Sequence, residues 1–159
     1  SKKEQKRIDC FVNVVEEHKT ALFRLAFSIV LNKEDAEDAV SDAILKAYSH
    51  LGDLKNIKKM KAWLFQILVN ESKNCLKKRQ KIEFSYMFVD RAPQEAETSD
   101  LFEFVCQLEE RFREVIILYY FEGFRVKEIA KILEINEGTV KSRLSRARLK
   151  LKQYIETNN

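Results

Sequence analysis

A chain of 159 residues that is 45% hydrophobic carries enough apolar surface for one ordinary domain or two small ones, which excludes wholesale disorder. Its three glycines and single proline are too few for a turn-rich sheet protein and favour long helices with few connections. The net charge is only +4 although 34% of the residues are charged, so the placement of charge carries more information than its sum.

Between Ile8 and Leu31 the apolar residues Phe11, Val15, Leu22, Leu25, Ala26 and Ile29 recur at helical spacing. Asn32 offers a cap, with Glu34 and Asp35 in the first turn of a second helix that runs to about Leu51. Its inward stripe reads Ala36, Val40, Ala43, Ala47 and Leu51, and Gly52 is placed to stop it. Asp35, Asp38, Asp42 and Leu45 share the opposite face. A basic loop with Lys55, Lys58, Lys59 and Lys61 follows, free of acids between Leu54 and Ala62. The third helix covers about Met60 to Arg79, with Trp63, Leu64, Ile67, Leu68, Cys75 and Leu76 on its apolar side. Gln66, Asn70, Lys73, Asn74 and Lys77 lie opposite.

Near Lys81 the composition changes. From Ile82 to Glu110 acids are frequent, Arg91 is the only base, and the single proline, Pro93, occurs. Residues 81–97 read as a flexible linker, although Phe84, Tyr86, Met87, Phe88 and Val89 suit a segment that docks on something. The expected organisation is all-α: a helical domain over 1–80, the linker, and a second small helical domain over 98–159. In that second domain Asp100 or Ser99 can cap a short helix to about Leu108. Glu109 to Phe121 forms another, and Gly123 sits at a left-handed helix end.

Val126–Leu144 has the spacing of a helix-turn-helix, whose second helix enters a DNA major groove. Ile129 and Leu133 pack the first helix, Ala130 is small where the helices cross, Ile135 fills the turn and Asn136 caps the second helix. Val140, Leu144, Ala147 and Leu151 make the core stripe of that second helix. Outside the stripe stand Thr139, Lys141, Ser142, Arg143, Ser145, Arg146, Arg148, Lys150 and Lys152, and no acid occurs from Gly138 to Ile155. Arginine and lysine can read guanine edges or grip phosphates, and hydroxyls can do either. The same pattern also fits a basic, solvated helix that ends a bundle. Glu134 occupies a turn position where glycine is common.

Catalytic and metal chemistry find no support. Cys10, Cys75 and Cys106 are far apart and form no C-x-x-C pair, and only His18 and His50 could join them. There is no P-loop, no glycine-rich phosphate cradle and no nucleophile–base pair. The expectation is a non-enzyme without metal or cofactor, in a reducing cytoplasm. No apolar run approaches membrane-spanning length, and the charged N-terminus leads into an amphipathic stretch instead of a signal-peptide core.

Several motifs are more specific. Asp35-Ala-Glu-Asp-Ala-Val40 with Ile44-Leu-Lys-Ala-Tyr48, and Ala62-Trp-Leu-Phe-Gln-Ile67 with Asn70 and Leu76-Lys-Lys-Arg79, resemble region 2 of the extracytoplasmic-function RNA polymerase sigma factors. Glu110-Arg-Phe-Arg-Glu-Val115, Glu128-Ile-Ala130 and Gly138-Thr-Val-Lys-Ser-Arg143 resemble region 4 of the same family, in the right order and separation. The resemblance implies that region 2 binds the polymerase clamp and the minus-ten element, that region 4 sits on the flap and reads the minus-thirty-five element, and that the linker threads toward the RNA exit path. It further implies control by an anti-sigma factor, soluble or membrane-anchored.

Carried onto this chain, the resemblance assigns minus-thirty-five contacts to Thr139, Lys141, Ser142, Arg143, Ser145 and Arg146. It assigns minus-ten contacts to Lys59, Lys61, Asn70, Lys73 and Lys77, and polymerase contacts to Asp38, Asp42, Leu45 and Lys46. Asp35, near the helix start, is expected to answer the helix dipole. Trp63 either stacks a base or, as is commoner for a lone tryptophan on an apolar stripe, packs in the core. The loop Asp53–Met60 departs from the family pattern, as does Glu109, which stands where a proline is common. A rival reading is an autonomous helix-turn-helix regulator that dimerises on palindromic DNA; it accounts for Val126–Lys152 and leaves the N-terminal half without a role.

Overall fold

The structure, a computed structural model, describes residues 1–82 and 100–157. Among these it contains α1 (Lys2–Glu17), α2 (Lys19–Val30), α3 (Lys33–Ser49), α4 (Met60–Ile82), α5 (Asp100–Cys106), α6 (Glu110–Ile116), α7 (Val126–Leu133) and α8 (Glu137–Thr157). The described residues form no strand, and none of their helices is long and apolar enough to cross a membrane. The expected linker lies outside the described residues except for Lys81 and Ile82, which prolong α4 beyond its expected end.

The apolar run from Ile8 to Leu31 is two helices instead of one. His18, at φ −113° and ψ 18°, breaks it; its N–H closes α1 on the Val14 carbonyl, and its own carbonyl opens α2 by accepting from Leu22. Asn32 caps α3 as expected, its Oδ1 accepting from the Asp35 N–H at 2.9 Å. The helix stops at Ser49, earlier than expected, and the chain tightens into a 3-10 turn over Leu51–Asp53. Gly52 lies inside that turn without a left-handed backbone, so it is not the stop signal.

Helix α3 buries Ala36, Ala39, Ala43 and Ala47, and small side chains let it lie close against α2 and α4. Helix α4 buries Met60, Leu64, Phe65, Leu68, Val69 and Ser72. Trp63, Ile67, Cys75 and Leu76, expected on the apolar side, are only partly buried. The buried face has turned toward Phe65 and Val69 because α4 is covered twice, by α2 and α3 on one side and by α7 on another.

In the C-terminal half α6 continues into a π-helical turn over Ile117–Phe121. Glu109 holds φ −62° and ψ 149°, a backbone that a proline would also adopt, so its substitution leaves the turn intact. Gly123 takes the left-handed conformation at φ 72°. The break between α7 and α8 is a Schellman turn: the Ile135 N–H reaches back to the Ala130 carbonyl at 3.0 Å, and Glu134 carries the left-handed backbone at φ 56°. A side chain there is strained by roughly 1–2 kcal/mol. Glu134→Gly is therefore expected to stabilise the chain by about 0.5–1 kcal/mol once glycine's extra unfolded-state entropy is subtracted, read as a higher urea midpoint at unchanged slope.

The two halves share one apolar core. Phe27 of α2 meets Phe102 of α5 at 6.3 Å between ring centroids, and Phe65 of α4 meets Phe124 at 5.3 Å. Helix α2 packs on α6 and α4 on α7.

Candidate nucleic-acid interface

Helix α8 is set by its stripe. Val140, Leu144, Ala147 and Leu151 are buried, which turns the polar residues between them outward. The Asn136 side chain caps the helix, accepting from the Thr139 N–H at 2.7 Å and from the Thr139 hydroxyl at 2.9 Å. Ser142 turns its hydroxyl back to the Thr139 carbonyl at 3.2 Å. Lys141, Ser145 and Arg146 are exposed. Arg143 is half-buried and borders a polar cleft with Lys73, Glu109, Glu110, Arg111 and Glu114. Of the six residues assigned to duplex contact, Lys141, Ser145 and Arg146 thus stand clear, Thr139 and Ser142 are tied into the helix start, and Arg143 lines a cleft formed mainly by its own half, with Lys73 of α4 at its border. Arg148 belongs to the body of this half: its guanidinium donates to the Tyr120 hydroxyl and lies 5.5 Å from that ring's centre.

The polar side of α4 splits in two. Asn70, Asn74 and Lys77 are exposed. Gln66 and Lys73, two turns apart, meet the C-terminal half: Gln66 donates to Glu134 at 3.3 Å, and Lys73 pairs with Glu114 at 2.9 Å. The Glu114 side chain is only 3% exposed, and burial pushes its carboxyl above the usual range against the opposing pull of Lys73. Lys61, at the start of α4, donates to the Glu122 carbonyl at 3.1 Å and lies 4.7 Å from the centre of the Phe124 ring. Lys59 stays exposed. Lys61 and Lys73 are therefore occupied by the C-terminal half, whereas Lys59, Asn70 and Lys77 face solvent.

On α3, Asp38 and Asp42 are exposed, and Leu45 is 68% exposed, an unusual setting for a leucine in mid-helix. Tyr48, one turn on, is 55% exposed and touches Phe11 edge-on at 6.0 Å. Lys46 pairs with Glu71 of α4 at 3.0 Å. Asp35 is structural: its carboxylate pairs with Arg79 at 3.0 Å, fastening the start of α3 to the end of α4. Burial, followed by Asp35, Asp38 and Asp42, pushes the Cys75 thiol up, and burial pushes Cys106 up to about 12, so neither is a ready thiolate.

Sequence reasoning gave no residue the role of joining the halves, and it passed over Arg24 and Glu122 altogether. Arg113, 7% exposed, sends its guanidinium from α6 into the C-terminal end of α2. It donates through Nε to the Ser28 carbonyl, through Nη2 to the Ile29 carbonyl at 3.5 Å and through Nη1 to the Leu108 carbonyl at 2.6 Å. A helix leaves its last carbonyls without partners, and here a residue from the other half supplies them. Arg24 and Glu122 form a second tie at 3.3 Å with side chains 14% and 5% exposed, where burial raises the Glu122 carboxyl. The signal in the sequence was slight: charged residues inside otherwise apolar runs, as at Arg113-Glu114 before Val115.

Residues 14–82 match the family model for sigma-70 region 2, and residues 100–151 match that for sigma-70 region 4. The RNA polymerase sigma factor SigV of Bacillus subtilis is 37% identical over 151 residues, covering 92% of this chain and 91% of its own length. The ECF RNA polymerase sigma factor SigW of the same organism is 25% identical, covering 92% of this chain and 89% of its own. Among solved structures, the sigma factor RpoE of Bartonella quintana in complex with the anti-sigma factor NepR superposes with a TM-score of 0.75 at 30% identity, over 91% of this chain and 97% of that one. CnrH in complex with the cytosolic domain of CnrY superposes with a TM-score of 0.71 at 26% identity, over 94% of this chain and 89% of that one. With both regions matched in order and a relative of this identity aligned over nearly the whole chain, the protein belongs to the extracytoplasmic-function branch of the sigma-70 family of RNA polymerase sigma factors.

Proposed function

We propose that this chain binds core RNA polymerase, recognises promoter minus-ten and minus-thirty-five elements and starts transcription without catalysing a reaction of its own. The observation that carries the reading is the outward basic face of α8, with Lys141, Ser145 and Arg146 exposed on the second helix of a helix-turn-helix, in the same chain as the exposed Asn70 and Lys77 of α4. The first set suits closed duplex in a major groove. The second suits opened strand, where an amide pairs with a base edge and lysines hold phosphates. Arg143, Thr139 and Ser142 complete the duplex face, and Lys59, Lys61 and Lys73 complete the strand face.

Residues 1–80 form the polymerase and minus-ten domain and residues 98–159 the minus-thirty-five domain. Asp38, Asp42, Leu45 and Lys46 dock on the clamp. Each domain alone holds DNA weakly. Fixed by polymerase, the two contacts reinforce each other through effective concentration.

An anti-sigma factor is the expected inhibitor, as the complexes of RpoE with NepR and of CnrH with CnrY suggest. The working compartment of this chain is the cytoplasm. On α5, α6, the π-helical turn after it and α8, the residues Leu101, Ile116, Tyr120, Leu151 and Ile155 line an apolar groove suited to the flap or to such an inhibitor.

Run-off transcription with purified core polymerase and a promoter library tests the reading. Arg146→Ala is expected to lower use of promoters through the upstream element by about 5–150-fold, the equivalent of about 1–3 kcal/mol for one good base contact. Asn70→Ala is expected to relax minus-ten base preference while upstream preference stays. If both variants select the same promoters as the parent, the assigned roles are wrong. If the chain protects duplex DNA without polymerase, it acts as an autonomous regulator.

A further inference from the structure

We infer that Glu109 sets how tightly this chain holds duplex DNA: its carboxylate withholds Arg111 and Lys150 from the phosphates that flank the duplex-reading face of α8. The inference rests on the proposed role of α8 at the upstream element. It adds to that role a backbone contact and an acid that moderates it.

Glu109 stands at the N-cap of α6, where a short polar side chain usually accepts from the first free N–H groups. Its own side chain makes no such bond. The carboxylate turns instead to Arg111 at 3.1 Å and to Lys150 of α8 at 3.9 Å. Both cations also lie against the ring of Phe112, at 4.8 Å and 5.5 Å from its centre. Phe112 is buried, so a fixed ring holds the two cations together across the joint between α6 and α8. Arg143, two turns before Lys150 on α8, borders the same cleft as Glu109 and Arg111, and the exposed Arg146 stands between them along the helix. The other acids of the cleft are engaged elsewhere: Glu114 pairs with Lys73 at 2.9 Å, and Glu110 acts on Glu114 and Arg113.

The cluster is open to water, with the side chains of Glu109, Arg111 and Lys150 exposed by 57%, 53% and 46%. Ion pairs this exposed contribute little to folding. Their consequence is for binding. Cations beside a recognition helix form a strip for phosphates, which position a duplex without reading its sequence. A carboxylate among them cancels part of that charge and repels an incoming phosphate. A proline at this position fits the same backbone and carries no charge, so the effect of the acid falls on DNA affinity and not on the fold.

The test uses the chain assembled with core polymerase. It is titrated by anisotropy with two fluorescein-labelled duplexes of about 20 base pairs, one carrying the upstream element selected from the promoter library and one scrambled, from about 50 to about 300 mM salt. Glu109→Gln and Glu109→Pro are each expected to bind both duplexes about three- to fivefold more tightly at the lowest salt, and to steepen the log–log salt dependence by about 0.5–1. Arg111→Ala and Lys150→Ala are expected to weaken both duplexes alike and to flatten that slope by about 1 each. In all four variants the ratio of the two affinities stays at the parent's value, since phosphates carry no sequence information. Glu16→Gln makes the same change of net charge on the exposed side of α1 and is expected to leave affinity and slope unchanged.

Parent-like slopes in both Glu109 variants, parent-like slopes in both cation variants, or a shifted ratio between the two duplexes would each overturn the inference. Arg146→Ala in the same titration examines the underlying reading by itself. Its ratio is expected to fall, and a ratio equal to the parent's would remove α8 from duplex reading, whatever Glu109 does.

Discussion

Truncating Arg113 to alanine is expected to cost the free chain about 3 kcal/mol and to lower its thermal midpoint by about 6–12 °C. The guanidinium is 7% exposed and is shared among the carbonyls of Ser28, Ile29 and Leu108. Two of those carbonyls end α2 and one follows α5, so a single side chain closes the end of α2, holds the turn after α5 and joins the two halves. Its removal leaves buried acceptors without donors and takes away a side chain that is itself only 7% exposed.

Burial already lowers the Arg113 pKa from its ordinary value, yet arginine stays charged at any working pH, so the loss is expected to be independent of pH across the neutral range. Arg113→Lys separates charge from geometry. One ammonium cannot serve three carbonyls in different directions, and the lysine variant is expected to recover less than half of the loss. Calorimetry of the three proteins at one pH decides the matter. A midpoint for Arg113→Ala within 2 °C of the parent would mean that water replaces the guanidinium and that the buried tie contributes little to stability.

How much of this was legible beforehand depends on what holds each element in place. Helices α3 and α8 were readable because their stripes face neighbours close in sequence. Ala36, Ala43 and Ala47, or Val140, Leu144 and Ala147, each mark one buried side, and Asn32 and Asn136 mark where a helix begins. The helix-turn-helix was readable for the same reason, and its left-handed Glu134 changed the residue at the turn without changing the turn.

Helix α4 was misread by about one residue's rotation. Periodicity counts one apolar side, and α4 has two: Phe65 and Val69 face in because Phe124 and α7 arrive from the distant half. The break at His18 was also hidden, since α1 and α2 keep the same apolar rhythm across it and only the backbone changes. The candidate surfaces followed the same rule. Leu45 was legible as an apolar residue on an acidic face, whereas the occupation of Lys61 and Lys73 was not. Their partners stand 61 and 41 residues away along the chain, and nothing local to a lysine announces which carbonyl or carboxylate will reach it.

Leu45→Asp is expected to weaken the affinity for core polymerase by at least about 30-fold, close to 2 kcal/mol, while leaving the stability of the chain within about 0.5 kcal/mol of the parent. The separation follows from exposure. Leu45 is 68% open to water, so the chain loses almost no burial when it is changed, and whatever it contributes must come from a partner. Tyr48 extends the apolar spot by one turn, and Asp38 and Asp42 border it, which gives a small apolar centre with a charged rim. An aspartate at the centre would have to be desolvated without a counter-charge, so the penalty falls on the bound state alone.

Asp42→Ala at the rim is expected to act differently. It should slow association and flatten the salt dependence, with a smaller loss of affinity. Titration of labelled chain with core polymerase at two salt concentrations, alongside urea melts, separates these outcomes. Equal affinity for Leu45→Asp and the parent would show that the clamp is held elsewhere, and the exposed apolar spot on α3 would then need another partner. A joint loss of affinity and stability would place Leu45 in the chain's own packing, contrary to its exposure.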